Sequence, residues 1–316
     1  ESLRQIQGAF TLVVMTERQL IGCRDPHGFR PLCLGRLNKA FVLASETCAL
    51  DLIGARFVRE VEPGELVVID ASGMRSVKFA TEAPKRLAQC LFEHVYFSRP
   101  DSTVFGESVQ HVRFKLGRAL AKAYPVPADL VMPIPDSGNF AALGYSSESG
   151  IPFAMGMIRN HYVGRTFIQP TQEIRDIKVR VKFNPVRKII KGKRLVVVDD
   201  SIIRGTTTKA RVKSLREAGA TEIHLRVSCS PTKFPCFYGI DFPTRKELIA
   251  NNLQLDEIRA FLGVDSLGYL PLERMLEAVD EADTYCTACW SGRYPIPFGG
   301  EGDKFALEKH GSQDCT

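Results

Sequence analysis

Residues 195–208, LVVVDDSIIRGTTT, set two adjacent carboxylates at the end of an apolar run and follow them with hydroxyls and a glycine. Such an unbroken run suits a strand buried on both faces of a parallel sheet, whose ligands bind beyond the carboxyl ends of the strands. Asp199 and Asp200 would emerge there. Ser201, Thr206, Thr207 and Thr208 offer hydroxyls, Gly205 lets backbone N–H groups converge, and the helix N-terminus behind them favours an anion. Carboxylates beside an anion cradle suit a ligand with both vicinal hydroxyls and a phosphate, as ribose 5-phosphate has. A plain strand end with a capped helix needs only one such residue, and no GxxxxGK[ST] is present for a Walker-type site.

Three further stretches have residue types that could do chemistry. In MPIPDSGNF, a Pro-rich turn at the end of an earlier strand leads to Asp136, Ser137 and Gly138, which suit backbone and hydroxyl contacts to a diphosphate. Between Arg159 and Lys188 there are eight Lys/Arg against two Asp/Glu, as a lid over a polyanion requires, although an isolated basic run is more often solvated surface. The nine cysteines are odd in number and scattered through apolar sequence, unlike a small secreted scaffold. Only CTAC, from Cys286 to Cys289, has ligand-like spacing, and a lone CxxC is a weak signal.

The elements that must position these residues fall into two patterns. Over residues 8–70, AFTLVVMT, RQLIGCRD, AFVLASE and GELVVIDASG read as short strands, with one helix at SETCALDLIGA, so this part is β-rich. LRQIQG resembles the end of a helix, and residue 1 is therefore not expected to be the native N-terminus. From about residue 85 helices and strands alternate, which argues for a parallel α/β sheet. VRFKLGRALAKAY is an amphipathic helix, ADLVMPIP a strand, NFAALGYSSESG a helix closed by Gly150, RLVVV a strand, TTTKARVKSLREAG a helix and EIHLRVSC a strand. TRKELIANN and LDEIRAFLG read as two more helices. The expected domains are residues 1–84, residues 85–298 with the cysteine-bearing C-terminal region, and a polar tail over 299–316.

Composition bounds the function class. With 316 residues, 44% hydrophobic and 25% charged, the chain reads as an ordinary globular protein able to bury a large core. A net charge of +6 permits an anionic ligand without demanding nucleic acid. No run approaches the roughly 18 apolar residues of a membrane span, and the first residues have no basic n-region or apolar h-region, so a cytoplasmic protein without membrane or nucleic-acid partners is expected.

VVVDDSIIRGTTT resembles the phosphoribosyl pyrophosphate motif of the type I phosphoribosyltransferases. The resemblance implies that Asp199 and Asp200 hold the ribose hydroxyls and that Ser201, Arg204, Gly205, Thr206, Thr207 and Thr208 wrap the 5-phosphate. MPIPDSGNF is placed like that family's pyrophosphate loop. RNHYVGRTFIQP with RDIKVRVKF resembles the active-site loop of the glutamine phosphoribosylpyrophosphate amidotransferases, although Arg159 and His161 stand where relatives usually carry Lys and Arg. PDSGNF likewise has Gly138 and Asn139 where Ser or another small residue is usual. CLFEHVYFSRPDS resembles the segment that joins the two domains of those enzymes, and the likeness covers about residues 1–298.

What this family resemblance implies is specific. The reaction is displacement of pyrophosphate from phosphoribosyl pyrophosphate by ammonia, drawn from glutamine in the intact enzyme, as the first step of purine synthesis. Mg²⁺ would be held by Ser137, Asp199 and Asp200, with Arg165, Arg180 and Lys182 on the pyrophosphate and Tyr162 and Ile168 along the ammonia path. In the cluster-bearing branch, a [4Fe–4S] cluster would take Cys90, Cys236, Cys286 and Cys289, a set that zinc would also accept. Cys23, Cys33, Cys48, Cys229 and Cys315 match no ligand position, and the first four are expected to be buried thiols. The family also implies a homo-oligomer, a tetramer in the intact enzyme, with purine nucleotides as feedback ligands. CRDPHGFRPL and LASETCALDLIGARFVREVEPGE resemble the second half of the N-terminal-nucleophile glutaminase domain. Residue 1 is Glu and no GNL-like oxyanion stretch is found, so the glutaminase active site is expected to be absent from this chain. A salvage phosphoribosyltransferase would need a base-recognition segment, and a ligand-sensing regulator a DNA-binding element or a damaged lid.

Overall fold

A computed structural model of the chain describes residues 2–80, 86–160, 183–242 and 244–296. These divide into two compact units, one of residues up to Leu91 with Phe234–Lys246 and the chain from Asp283, the other of Phe92–Lys233 with Glu247–Ala282. The chain passes from the first unit to the second after Leu91. The segments bearing Cys236, Cys286 and Cys289 group with the first unit.

The first unit is built from two antiparallel sheets. One has the order β1 (Thr11–Met15), β2 (Leu20–Arg24), β6 (Glu65–Asp70), β7 (Gly73–Lys78), and the other β4 (Ala40–Ala44), β3 (Cys33–Leu37), β5 (Arg56–Glu60). Leu32, Val61 and Val67 are fully buried together, with Leu43 and Ile69 against them, so the core draws on both sheets. CRDPHGFRPL turns a corner on its own side chains. Buried Arg24 donates to the Gly28 and Val61 carbonyls at 3.0 and 2.9 Å and pairs with Glu60, while Asp25 accepts from the His27 and Phe29 amides. The turn also explains why residues 234–246 join this unit. Phe29 stacks on Tyr238 with ring centroids 4.2 Å apart, and Arg30 Nε donates to the Tyr238 carbonyl. On the edge strand β1, Val13, Val14 and Met15 are exposed, an apolar edge of the kind that invites self-association.

In the second unit, a short hairpin of β9 (Thr103–Val104) and β10 (Glu107–Ser108) leads into α1 (Val109–Ala123), N-capped by Ser108. The parallel sheet has the order β11 (Leu130–Pro133), β14 (Arg194–Asp199), β15 (Glu222–Val227), β16 (Ser266–Tyr269). Between its first two strands in sequence come α2 (Asn139–Ser149) and the antiparallel pair β12 (Met157–Arg159) and β13 (Phe183–Pro185). α3 (Thr206–Glu217) follows β14, and α4 (Leu255–Leu262) precedes β16. α2 ends at Gly150 in the left-handed conformation, as expected from its sequence. Back in the first unit, β17 (Tyr285–Cys286) pairs in parallel with β8 (Gln89–Cys90).

Helices α1 and α2 pack backbone to backbone. A Cβ on Gly117 would overlap the Ala141 carbonyl oxygen, and one on Gly144 the Phe114 carbonyl oxygen. Backbone cannot yield as a side-chain tip can. Gly144→Ala is therefore expected to destabilise the second unit by about 3 kcal/mol, seen as an earlier denaturation midpoint with an unchanged slope. An unchanged midpoint would show that the two helices can separate without cost.

Candidate active site

The register of the parallel sheet assembles the site. β11 pairs with β14 so that Pro133 lies opposite Val198, and the Ile134 amide donates to the Val198 carbonyl at 2.8 Å. The chain leaving β11 therefore runs beside the chain leaving β14. It enters a tight loop with a cis Pro135–Asp136 peptide bond, in which the Gly138 amide donates back to the Ile134 carbonyl at 3.0 Å. Gly138 lies so close to β14 that a Cβ would overlap the Val198 carbonyl oxygen and come within 2.9 Å of that of Ile134.

These loops bring the expected sugar and diphosphate residues together. Ser137 Oγ donates to one Asp200 oxygen and Ser201 Oγ to the other, each at 2.5 Å. Asp199 accepts from the Asp200 amide at 3.1 Å, and its second oxygen faces Arg211 Nη1 at 3.4 Å. Both acids are buried, Asp199 at 2% exposure and Asp200 at 5%. Burial pushes the Asp199 carboxyl well above the usual range, the Asp200 charge adds to the rise, and Arg211 opposes it. Two buried carboxyls held in this way resist carrying both charges at once, and a cation beside them would favour the doubly ionised form.

Further along the chain, Gly205 takes a left-handed conformation, φ +77°, at the N-cap of α3. A side chain there would press on Ile249, which leaves glycine as the residue that fits. Thr206, Thr207 and Thr208 form the first turn, the first two exposed and Thr208 buried. Two expected ligand contacts are engaged elsewhere. Arg204 is exposed and paired with Glu247 at 2.8 Å, and Asp136 is exposed and paired with Arg159 at 2.6 Å. Tyr162, Arg165, Ile168, Arg180 and Lys182 lie outside the described residues.

Arg211 is the site residue that sequence reasoning missed. Its signal was a cation on the buried stripe of α3, between Thr208 and Leu215 at helical spacing.

In the first unit the four candidate ligand cysteines come from three segments. Cys90 and Cys286 are register partners, Cys236 Sγ accepts from the Tyr238 amide at 3.3 Å, and burial raises the Cys286 thiol to about 11 with Cys236 adding to the rise. Burial likewise raises the Tyr294 hydroxyl to about 12, with Cys236 and Cys289 both contributing. Among the described residues, no group of three or more His, Cys, Asp or Glu could hold a metal ion as placed. Cys23, Cys33, Cys48 and Cys229 are buried, as expected, and Cys315 lies outside the described residues.

No family model matches the chain. An amidophosphoribosyltransferase of Mycobacterium tuberculosis is 53% identical over 300 residues, 93% of this chain and 56% of that protein. One of Synechocystis is 54% identical over 293 residues, 92% of this chain and 59% of that protein. The solved glutamine phosphoribosylpyrophosphate amidotransferase of B. subtilis, complexed with ADP and GMP, matches with a TM-score of 0.88 at 46% identity, over 96% of this chain and 67% of that one. The chain belongs to the amidophosphoribosyltransferase family. It spans a little over half the length of the two curated relatives. The fold class is the one expected of this family, a type I phosphoribosyltransferase sheet preceded by a β-rich glutaminase portion.

Proposed function

We propose that this chain carries the transferase site of an amidophosphoribosyltransferase, where ammonia displaces pyrophosphate from C1 of phosphoribosyl pyrophosphate to give phosphoribosylamine. The observation that carries this reading is the buried pair Asp199 and Asp200, braced by Ser137 and Ser201 and followed in the chain by the glycine-led N-terminus of α3. Asp199 and Asp200 accept from the ribose hydroxyls, the backbone from Ser201 to Thr208 cradles the 5-phosphate, and the loop at Asp136, Ser137 and Gly138 receives the diphosphate. Arg204 and Asp136 would first exchange their ion-pair partners, Glu247 and Arg159, for the ligand. Positive charge grows on the sugar as the bond breaks, and the carboxylates of Asp199 and Asp200 stabilise it. Arg165, Arg180 and Lys182 are assigned to the leaving diphosphate, with Tyr162 and Ile168 beside the ammonia path. Family membership supports this reading over a salvage transferase or a ligand-sensing regulator.

The residues present fit a magnesium ion, since two buried carboxylates and a serine hydroxyl share one loop junction. When bound there by Asp199, Asp200 and Ser137, Mg²⁺ supplies charge neutralisation between diphosphate and sugar. The test is pyrophosphate release from phosphoribosyl pyrophosphate and Mg²⁺ with an ammonium salt as nucleophile, which needs no glutaminase. Ammonium-dependent release is expected, and its absence in folded protein would refute the reading.

Cys90, Cys236, Cys286 and Cys289 are assigned to a [4Fe–4S] cluster with a structural role. Support comes from their gathering in one unit and from the amide donated to Cys236. Anaerobically prepared protein is expected to contain about four iron and four sulfide per chain, and Cys286→Ser to lose most of both. Zinc in their place would overturn the assignment. Purine nucleotides, of which the B. subtilis relative carries ADP and GMP, are proposed as further ligands, and a homo-oligomer in the cytoplasm as the setting. Among the described residues no helix is long and apolar enough to cross a membrane.

A further inference from the structure

We infer that Arg211 is a positioning residue, whose guanidinium fixes the Asp199 carboxylate in the orientation that meets the sugar. The inference rests on the reading of Asp199 as a sugar-hydroxyl ligand. Asp199 is held from two directions, one oxygen by the Asp200 amide at 3.1 Å and the other by Arg211 Nη1 at 3.4 Å. The first hold comes from the neighbouring residue in the chain and the second from α3, so the carboxylate cannot turn about its own axis without breaking one of them.

Arg211 is itself braced. Its guanidinium lies over the Phe183 ring, 4.6 Å from the centroid, at the start of β13, and the side chain is only 16% exposed. Its Nε is buried without a partner among the described residues. A buried donor left unpaired costs free energy, and here the arginine keeps it while turning one face to the ring and one edge to the acid. A planar guanidinium can do both at once, whereas a lysine ammonium is a point charge with no plane to stack.

A purely structural counter-charge would serve the fold but not the ligand, and the two roles separate in kinetics. Arg211→Met is expected to raise the KM for phosphoribosyl pyrophosphate about tenfold while kcat with ammonium changes less than about threefold, because ground-state sugar contacts are lost. Arg211→Lys is expected to recover most of the thermal stability but less than half of the KM effect, and Phe183→Leu to give a smaller KM rise in the same direction. A KM for Arg211→Met within twofold of the wild type, or its full recovery in Arg211→Lys, would overturn the inference. Crystal structures of the wild type and of Arg211→Lys give a readout that needs no activity. A shifted Asp199 carboxylate supports the inference and an unmoved one overturns it. Wild-type protein that neither binds phosphoribosyl pyrophosphate nor releases pyrophosphate would defeat the proposed function instead, and the two structures would still decide the role of Arg211.

Discussion

Asp199→Asn is expected to make the protein more stable and nearly unable to bind phosphoribosyl pyrophosphate. Burial and the adjacent Asp200 hold the Asp199 carboxyl well above the usual range, so the folded state binds its proton more tightly than the unfolded state does. A carboxyl raised in this way contributes most below its unfolded value, near pH 4, and that contribution falls as pH rises through the folded value into the neutral range. The amide has no charge to bury and still offers Arg211 an oxygen. At neutral pH the gain is expected to be about 1–2 kcal/mol, roughly 2–8 °C in Tm, and to shrink toward pH 4. Affinity for the Mg²⁺ complex of phosphoribosyl pyrophosphate should fall by at least about 10²-fold, since a charged acceptor is lost at the sugar. Thermal melts of both proteins across that pH range, with calorimetric titration, check both halves. A variant less stable at every pH would mean that the fold depends on the Asp199 charge.

The second large effect is expected at Gly138. Its φ of −77° suits any residue, so the cost of Gly138→Ala lies entirely in the carbonyl oxygens of Val198 and Ile134 that the new methyl would meet. Both oxygens belong to backbone, and the loop from Ile134 to Gly138 must move away from β14 to admit the methyl. That movement would carry Ser137 away from Asp200. A displacement of about 1 Å is enough to lower kcat/KM with ammonium by about 10²-fold, with a stability loss of about 1–3 kcal/mol. Gly144→Ala is the control, because it strains the same helix without touching the loop. If both variants lose activity only in proportion to their folded fraction, the Gly138 contact matters for folding alone.

The sequence by itself determined that two acids stand at the end of a buried strand, with a glycine opening the helix that follows. The apolar run from Leu195 to Val198 can only be a strand covered on both faces, and all four residues are buried at 1% or less, so Asp199 and Asp200 emerge at its end. Gly150 closed α2 and Gly205 opened α3 because each needs a backbone that other residues resist. Local signals failed where burial overrode them. SLGY became β16 despite its brevity and its glycine, because Gly268 admits the Tyr124 ring against it. TRKELIANN, which reads as one helix, is instead broken at Leu248, an extended residue that is fully buried between two short turns.

Only the tertiary structure decided what faces what. The pairing of Pro133 with Val198 is a matter of register, which no local residue pattern specifies, and it alone sets Ser137 against Asp200 across 63 residues of chain. Arg211 shares the buried stripe of α3, but its partners are chosen only when the fold brings it over Phe183 of β13 and to 3.4 Å from Asp199. Arg159 and Asp136 likewise show no sign of partnership in sequence, being 23 residues apart, and meet because β12 returns to the loop after β11. The physical reason is common to all three. Residue types limit which bonds a side chain can make, while long-range packing chooses among the partners that remain.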